Sequence, residues 1–142
     1  MGDGRDFIGA KMALFIGDRL AVILRDEKPG LPSPGYWDFP GRGREGGESG
    51  FECARRECRE ELGLDVPEDA VVWRRLFEPK SGSAWFFVAK LPATAQDQVR
   101  FGDEGQEWRL MDAADYLAHP KAIPQFQKRL RIYLEELGDG PA

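Results

Sequence analysis

Three glutamates, Glu57, Glu60 and Glu61, stand at positions i, i+3 and i+4, which share one face of a helix. Carboxylates at that spacing offer hard oxygen donors, and hard divalent ions such as Mg²⁺ favour carboxylate oxygens while keeping several waters. At about 100° per residue the three cover an arc of about 100°, centred roughly 120° from the apolar stripe of Phe51, Ala54, Cys58 and Leu62. The spacing therefore predicts a helix with a core face and a separate acid face. Acids at i, i+4 are common on solvated helices. Their repulsion costs ~0.2–0.5 kcal/mol per pair unless a cation relieves it, so the cluster invites a metal.

Other chemistries have less support. Cys53 and Cys58 are too few for a disulfide framework. Five positions apart, they point about 140° from one another around a helix, so they read as small buried side chains. His119 has no histidine companion, which leaves a zinc site without ligands, and its place before Pro120 suggests a surface loop. The net charge is −5 with no basic stripe, so no nucleic-acid polymer is expected as partner. No run approaches the roughly 18 apolar residues of a membrane helix. The opening Met1–Asp6 lacks the basic-then-apolar pattern of a secretion signal. A cytoplasmic protein without membrane attachment is the default expectation.

The elements that must position the acids can be read in chain order. Phe7–Ile16 and Leu20–Leu24 flank Gly17-Asp18 and predict a hairpin. Arg25–Pro34 reads as an exposed loop, and Tyr36–Phe39 as a short strand halted by Pro40-Gly41. Gly41–Gly47 reads as a glycine-rich charged loop. Ser49 with Glu52 is a capping-box pattern, and Gly63 is a natural helix stop. Val71–Phe77, Ala84–Leu91 and Glu107–Met111 predict strands. Ala113–Leu117 and Ile123–Leu137 predict helices. Strands and helices interleave without regular repetition, which points to one α/β domain over residues 1–142.

The acid cluster belongs to a longer pattern: Glu48, seven intervening residues, then Arg56-Glu57-Cys58-Arg59-Glu60-Glu61-Leu62-Gly63-Leu64. It resembles the Nudix box, and the preceding Phe39-Pro40-Gly41 is similar to the family as well. The resemblance implies a Nudix-like α/β/α sandwich with a mixed central sheet. It also implies Mg²⁺-dependent hydrolysis of a diphosphate linkage in a nucleoside diphosphate derivative or nucleotide, with water attacking phosphorus and Mn²⁺ as an alternative ion. It assigns metal binding and catalysis to Glu57, Glu60 and Glu61, and a bracing pair to Glu48 and Arg56. A further loop acid is expected at Glu104, with Glu107 as runner-up.

Arg42 stands where the box has its first glycine, whose backbone carbonyl commonly helps hold a metal in the family. A carbonyl survives the substitution, but a positive φ there would disfavour arginine; Arg42 reads as a surface residue or as a phosphate contact. That departure admits an alternative, a catalytically impaired Nudix-fold module that binds nucleotides. A plain interaction protein with an acidic helix is a third reading. Arg44, Trp37 and Lys80 are candidate substrate contacts, with Tyr36, Trp85, Arg25 and Lys28 behind them. The partner is a small phosphorylated, nucleotide-derived substrate, and analogy with relatives admits a homodimer. Relatives acting on oxidised guanine nucleotides carry an asparagine before a proline of the C-terminal helix. Here 121–124 reads Lys-Ala-Ile-Pro, against that specificity. Pro79 lies about where ADP-ribose hydrolases carry a proline, a single-residue likeness.

Overall fold

The computed structural model describes residues 6–138. Most of the N-terminal stretch read above for a secretion pattern, residues 1–5, lies outside the described residues. Seven strands form one mixed sheet: β1 (Gly9–Ile16), β2 (Arg19–Leu24), β3 (Trp37–Asp38), β4 (Gly41–Gly43), β5 (Val71–Phe77), β6 (Ala84–Leu91) and β7 (Glu107–Met111). Its main order is β3-β2-β1-β6-β5, with β4 on β1 and β7 on β2. Only the β1–β6 pairing is parallel, and the others are antiparallel. The helices are α1 (Gly50–Leu62), α2 (Ala113–Ala118) and α3 (Pro124–Gly138).

The central strands are apolar on both faces because both faces are covered. Along β1, Met12, Leu14 and Ile16 point into the core beneath α1, joined there by Phe87 and Ala89 of β6. Ala13 and Phe15, with Phe86 and Val88, point to the other core, where Tyr116 of α2 and Phe126, Leu130 and Tyr133 of α3 pack. This explains the partial alternation in the first apolar run: a strand buried on both sides need not alternate. The expected three-layer arrangement is present. Among the described residues no helix is long and apolar enough to cross a membrane.

Two expectations change, and one element was not foreseen. The first strand begins at Gly9 rather than Phe7. The glycine-rich stretch expected as a loop opens with a strand, Gly41–Gly43, because its backbone pairs with Gly9–Lys11. Gly41 fits there only as glycine: its φ is 136°, and a Cβ would come within 2.1 Å of the Ala10 carbonyl oxygen. The six residues Ala93–Gln98 form a 3₁₀ turn that no periodicity announced.

Candidate active site

Helix α1 starts and stops on local chemistry. The Glu52 N–H donates to Ser49 Oγ (3.1 Å) and the Ser49 N–H donates to Glu52 Oε1 (2.8 Å), closing the capping box. Gly63 ends the helix at φ 67°, donating its N–H to the Arg59 carbonyl. The buried side is wider than the predicted stripe and takes in Cys53 and Glu57. Glu57 is only 4% exposed, so the acid face is not wholly separate from the core face. Its burial is bearable because a guanidinium lies against it.

That guanidinium is Arg56. Its Nε donates to Glu48 Oε2 (2.7 Å), Nη1 to Glu57 Oε2 (2.5 Å) and Glu60 Oε2 (3.2 Å), and Nη2 to the Gly43 carbonyl (3.0 Å). Glu48 therefore does meet Arg56, and together they tie the loop before the helix to the helix itself. The hydrogen bond from Arg56 holds the Glu48 carboxyl below its ordinary range, with burial pulling the other way.

Glu61 sits deeper. Burial, and then a hydrogen bond it shares with Glu57, push its carboxyl up to about 8. The Lys11 charge and the Gly41 N–H, which donates to Glu61 Oε2 at 3.0 Å, pull the other way. Glu57 and Glu61 thus lie within hydrogen-bond reach of one another, while Glu60 turns to Arg56. Among the described residues no three His, Cys, Asp or Glu side chains converge on one point. Carboxylates repel at short range unless a proton or cation stands between them. The Glu57–Glu61 pair is nonetheless a hard-oxygen donor set of the kind Mg²⁺ or Mn²⁺ takes.

Beside Glu61 opens a small cleft of about 110 Å³, whose charged lining includes Arg25, Lys28, Asp38, Arg42 and Glu104. Of the two loop acids named from sequence, Glu104 lines this cleft and accepts from Arg42 Nη1 at 2.8 Å. Glu107 starts β7, opposite Leu24, and pairs with Arg109. The loop carrying Glu104 is pinned at both ends. Arg100 and Gly102 donate N–H to the Leu62 and Glu61 carbonyls at the end of α1 (2.8 and 2.9 Å), and Gly105 donates to Asp26 (3.1 Å).

Arg42 is accommodated without strain at its own residue: it is a β4 residue opposite Ala10, and the positive φ belongs to its neighbour Gly41. Its carbonyl accepts the Cys53 thiol at 3.5 Å. Cys53 and Glu57 are one helical turn apart, so that oxygen borders the acid-bearing turn of α1.

The other named residues fall elsewhere. Trp37 is 5% exposed in the core under α2 and α3, with Arg109 over its ring; aromatic character in a half-polar run did not mean exposure. Arg44 donates to the Glu48 carbonyl and Asp6 and covers the Phe7 ring. Lys80 is exposed in the β5–β6 turn. Trp85 packs against Gly50, where a Cβ would come within 2.4 Å of the indole. Both cysteines are buried and free; burial raises both thiols, Cys53 to about 11. His119 is half-buried, and its Nδ1 accepts the Lys121 N–H.

Sequence reading missed Lys11 and Asp38, and named Arg25 only as a substrate contact. Asp38 is 4% exposed and accepts from Lys11 Nζ (2.8 Å), Arg25 Nη1 (3.0 Å) and the Phe39 N–H (2.7 Å). The signal was present: one lysine inside an apolar strand, and one aspartate inside the run Tyr36–Phe39.

The NUDIX domain family matches residues 9–133. Among solved structures, the chain is similar to the MutT protein from Methanosarcina mazei, at 20% identity over 92% of this chain and 94% of that one (TM-score 0.73). It is similar to a C. elegans Ap4A hydrolase at 19% identity over 92% and 98% (TM-score 0.69). A MutT from a study of Aliivibrio salmonicida and Vibrio cholerae is 27% identical over 80% and 86% (TM-score 0.59). No curated protein matches the chain by sequence.

Proposed function

Because the chain belongs to the NUDIX domain family, we propose that it is a single-domain hydrolase acting on a diphosphate linkage in a small nucleoside diphosphate derivative. The observation that carries this reading is the Glu57–Glu61 pair, whose Glu61 Oε2 takes the Gly41 N–H at the edge of a cleft that Arg25, Lys28 and Arg42 also line. Acids there suit a divalent ion, and cations there suit phosphate oxygens. The family context and neighbours described as MutT and Ap4A hydrolase support the same substrate class.

Glu57, Glu60 and Glu61 would hold Mg²⁺ or Mn²⁺, with the Arg42 carbonyl as the nearby backbone donor. When bound, the ion supplies positive charge against the phosphate oxygens and makes water a better nucleophile near neutral pH. The chain's own residues supply the rest. Glu48 and Arg56 fix the helix against the loop, a supporting role that orients the acids. One carboxylate among Glu57, Glu60, Glu61 and Glu104 accepts the proton of the attacking water. Lys28 and Arg42 orient the diphosphate, and Arg25, held by Asp38 and the Pro32 carbonyl, adds its charge to the cleft. Trp37 and Arg44 are already engaged within the fold and do not enter this proposal.

The test is turnover of a panel with Mg²⁺ (nucleoside triphosphates, dinucleoside polyphosphates and ADP-ribose) by the native chain, Glu57→Gln and Glu61→Gln. At least one substrate should turn over, with kcat lowered by about 10²–10⁴-fold in the variant that lacks the base. Absence of turnover across the panel, or native rates in both variants, sinks the reading.

A further inference from the structure

Lys11 is the only charged residue in β1. A lysine inside a sheet is costly unless its ammonium is fully paired. Here Nζ donates to Asp38 Oδ2 (2.8 Å), the Phe39 carbonyl (3.2 Å) and the Gly41 carbonyl (2.7 Å). An ammonium has three N–H donors, so all are used within the chain and none is left for a substrate anion. The three acceptors belong to one short turn, residues 38–41.

The far side of that turn reaches the site. Gly41, held at its carbonyl by Lys11, donates its own N–H to Glu61 Oε2 at 3.0 Å. Its backbone has little freedom to adjust, because at φ 136° it lies against Ala10. Asp38 completes the frame by taking Arg25 as well, and Arg25 Nε donates to the Pro32 carbonyl (2.9 Å), which ties in the 26–35 loop. A buried ion pair is weak support for stability, and an apolar side chain of similar volume often serves the fold as well. What an apolar residue cannot do is grip three acceptors of one turn at once.

We infer that Lys11 is a positioning residue for Glu61: its ammonium fixes the 38–41 turn so that the Gly41 N–H aims the Glu61 carboxyl into the cleft. The inference rests on the hydrolase reading for its consequence in catalysis, but not for its geometry.

The amide resonance of Gly41 in ¹⁵N-labelled, metal-free protein reports the grip directly. The Gly41 proton should move upfield in Lys11→Met and in Glu61→Gln, and stay near its native position in Lys11→Arg. Should Lys11→Met fail to fold, the double variant Lys11→Met/Asp38→Asn, which also removes the buried carboxylate, makes the same test. With a turned-over substrate and Mg²⁺, kcat should fall about 10–100-fold in the methionine variant, the range seen when residues supporting metal ligands are lost. KM should stay within about threefold, since Lys11 does not touch substrate. Lys11→Arg should recover part of kcat. A Gly41 amide unmoved in a folded methionine variant overturns the inference, and so does an unchanged kcat. If the native chain turns nothing over, the hydrolase reading falls, and the amide alone still decides the positioning claim.

Discussion

On the helix side of the cleft one guanidinium, Arg56, stands among four carboxylates: Glu45, Glu48, Glu57 and Glu60. On the strand side two cations, Lys11 and Arg25, share one carboxylate, Asp38. The first network has negative charge to spare and the second has positive charge to spare. Glu61 touches both, lying against Glu57 and taking the Gly41 N–H from the turn that Lys11 holds. The difference teaches what each side is for. Surplus carboxylate at a surface cleft is relieved by a cation from solution. Surplus cation, locked in short hydrogen bonds, holds backbone in place and leaves its field to favour anionic ligands.

The sharpest way to break this comparison is to remove the hub of each network. Asp38→Ala leaves Lys11 and Arg25 facing one another without their buried carboxylate, and should destabilise by about 3–5 kcal/mol. Arg56→Ala leaves Glu57 buried without its partner; because Arg56 stays partly solvated, the loss should be near the lower end, about 3 kcal/mol. Millimolar Mg²⁺ should restore part of the second loss, since an ion that binds only the folded chain stabilises it by about 2.7 kcal/mol at a hundred times its Kd. It should raise Asp38→Ala by no more than it raises the native chain. Urea unfolding of the native chain and both variants, with and without Mg²⁺, measures these values; an equal gain in both variants, or a gain in neither, would dissolve the contrast.

Acid titration makes a smaller, sharper cut. Arg56 depresses the Glu48 carboxyl. A depressed carboxyl contributes stability that is fully present above its ordinary pKa, about 4.3, and is lost as pH falls through the folded value. Native stability should therefore decline below about pH 5. Glu48→Gln should start lower at neutral pH and lose less over the same interval, as followed by circular dichroism during denaturant melts. A parallel decline in both proteins would show that the brace carries no linked proton.

The smallest effect belongs to Arg42. Its pair with Glu104 is about half exposed on both sides, and such pairs contribute roughly 0–1 kcal/mol. Arg42→Ala should shift the unfolding free energy by less than about 1 kcal/mol. A larger loss would place Arg42 among the structural cations with Lys11 rather than among those free to meet a ligand.

Much of this organisation was legible from the residues, for physical reasons. Ser49, Glu52 and Gly63 act locally, so the ends of α1 could be read directly. The spacing of Glu57, Glu60 and Glu61 placed them on one face because helix geometry is regular. β6 stood out because Trp85-Phe86-Phe87-Val88 favours a strand whichever sheet receives it. What escaped depends on distant partners. Gly41–Gly43 becomes a strand only because Gly9–Lys11 lies beside it. Trp37 turns inward because α2 and α3 cover it. Lys11 and Asp38 are 27 positions apart, and neither has a neighbour in sequence that reveals the other. Glu104 was preferred to Glu107 for its place in a loop rather than at a strand start, but its bond to Arg42, 62 positions away, had no local sign.

The backbone bonds from Arg100 and Gly102 to the last carbonyls of α1 have a mechanical meaning. Helix and loop share those bonds, so thermal displacement of the helix end carries the loop along with it. Glu61 and Glu104, 43 residues apart in the chain, therefore move more as one rigid arm than as two independent parts. Fluctuations that would blur the distance between two free loop acids instead translate both together, and the cleft keeps its width while its walls breathe.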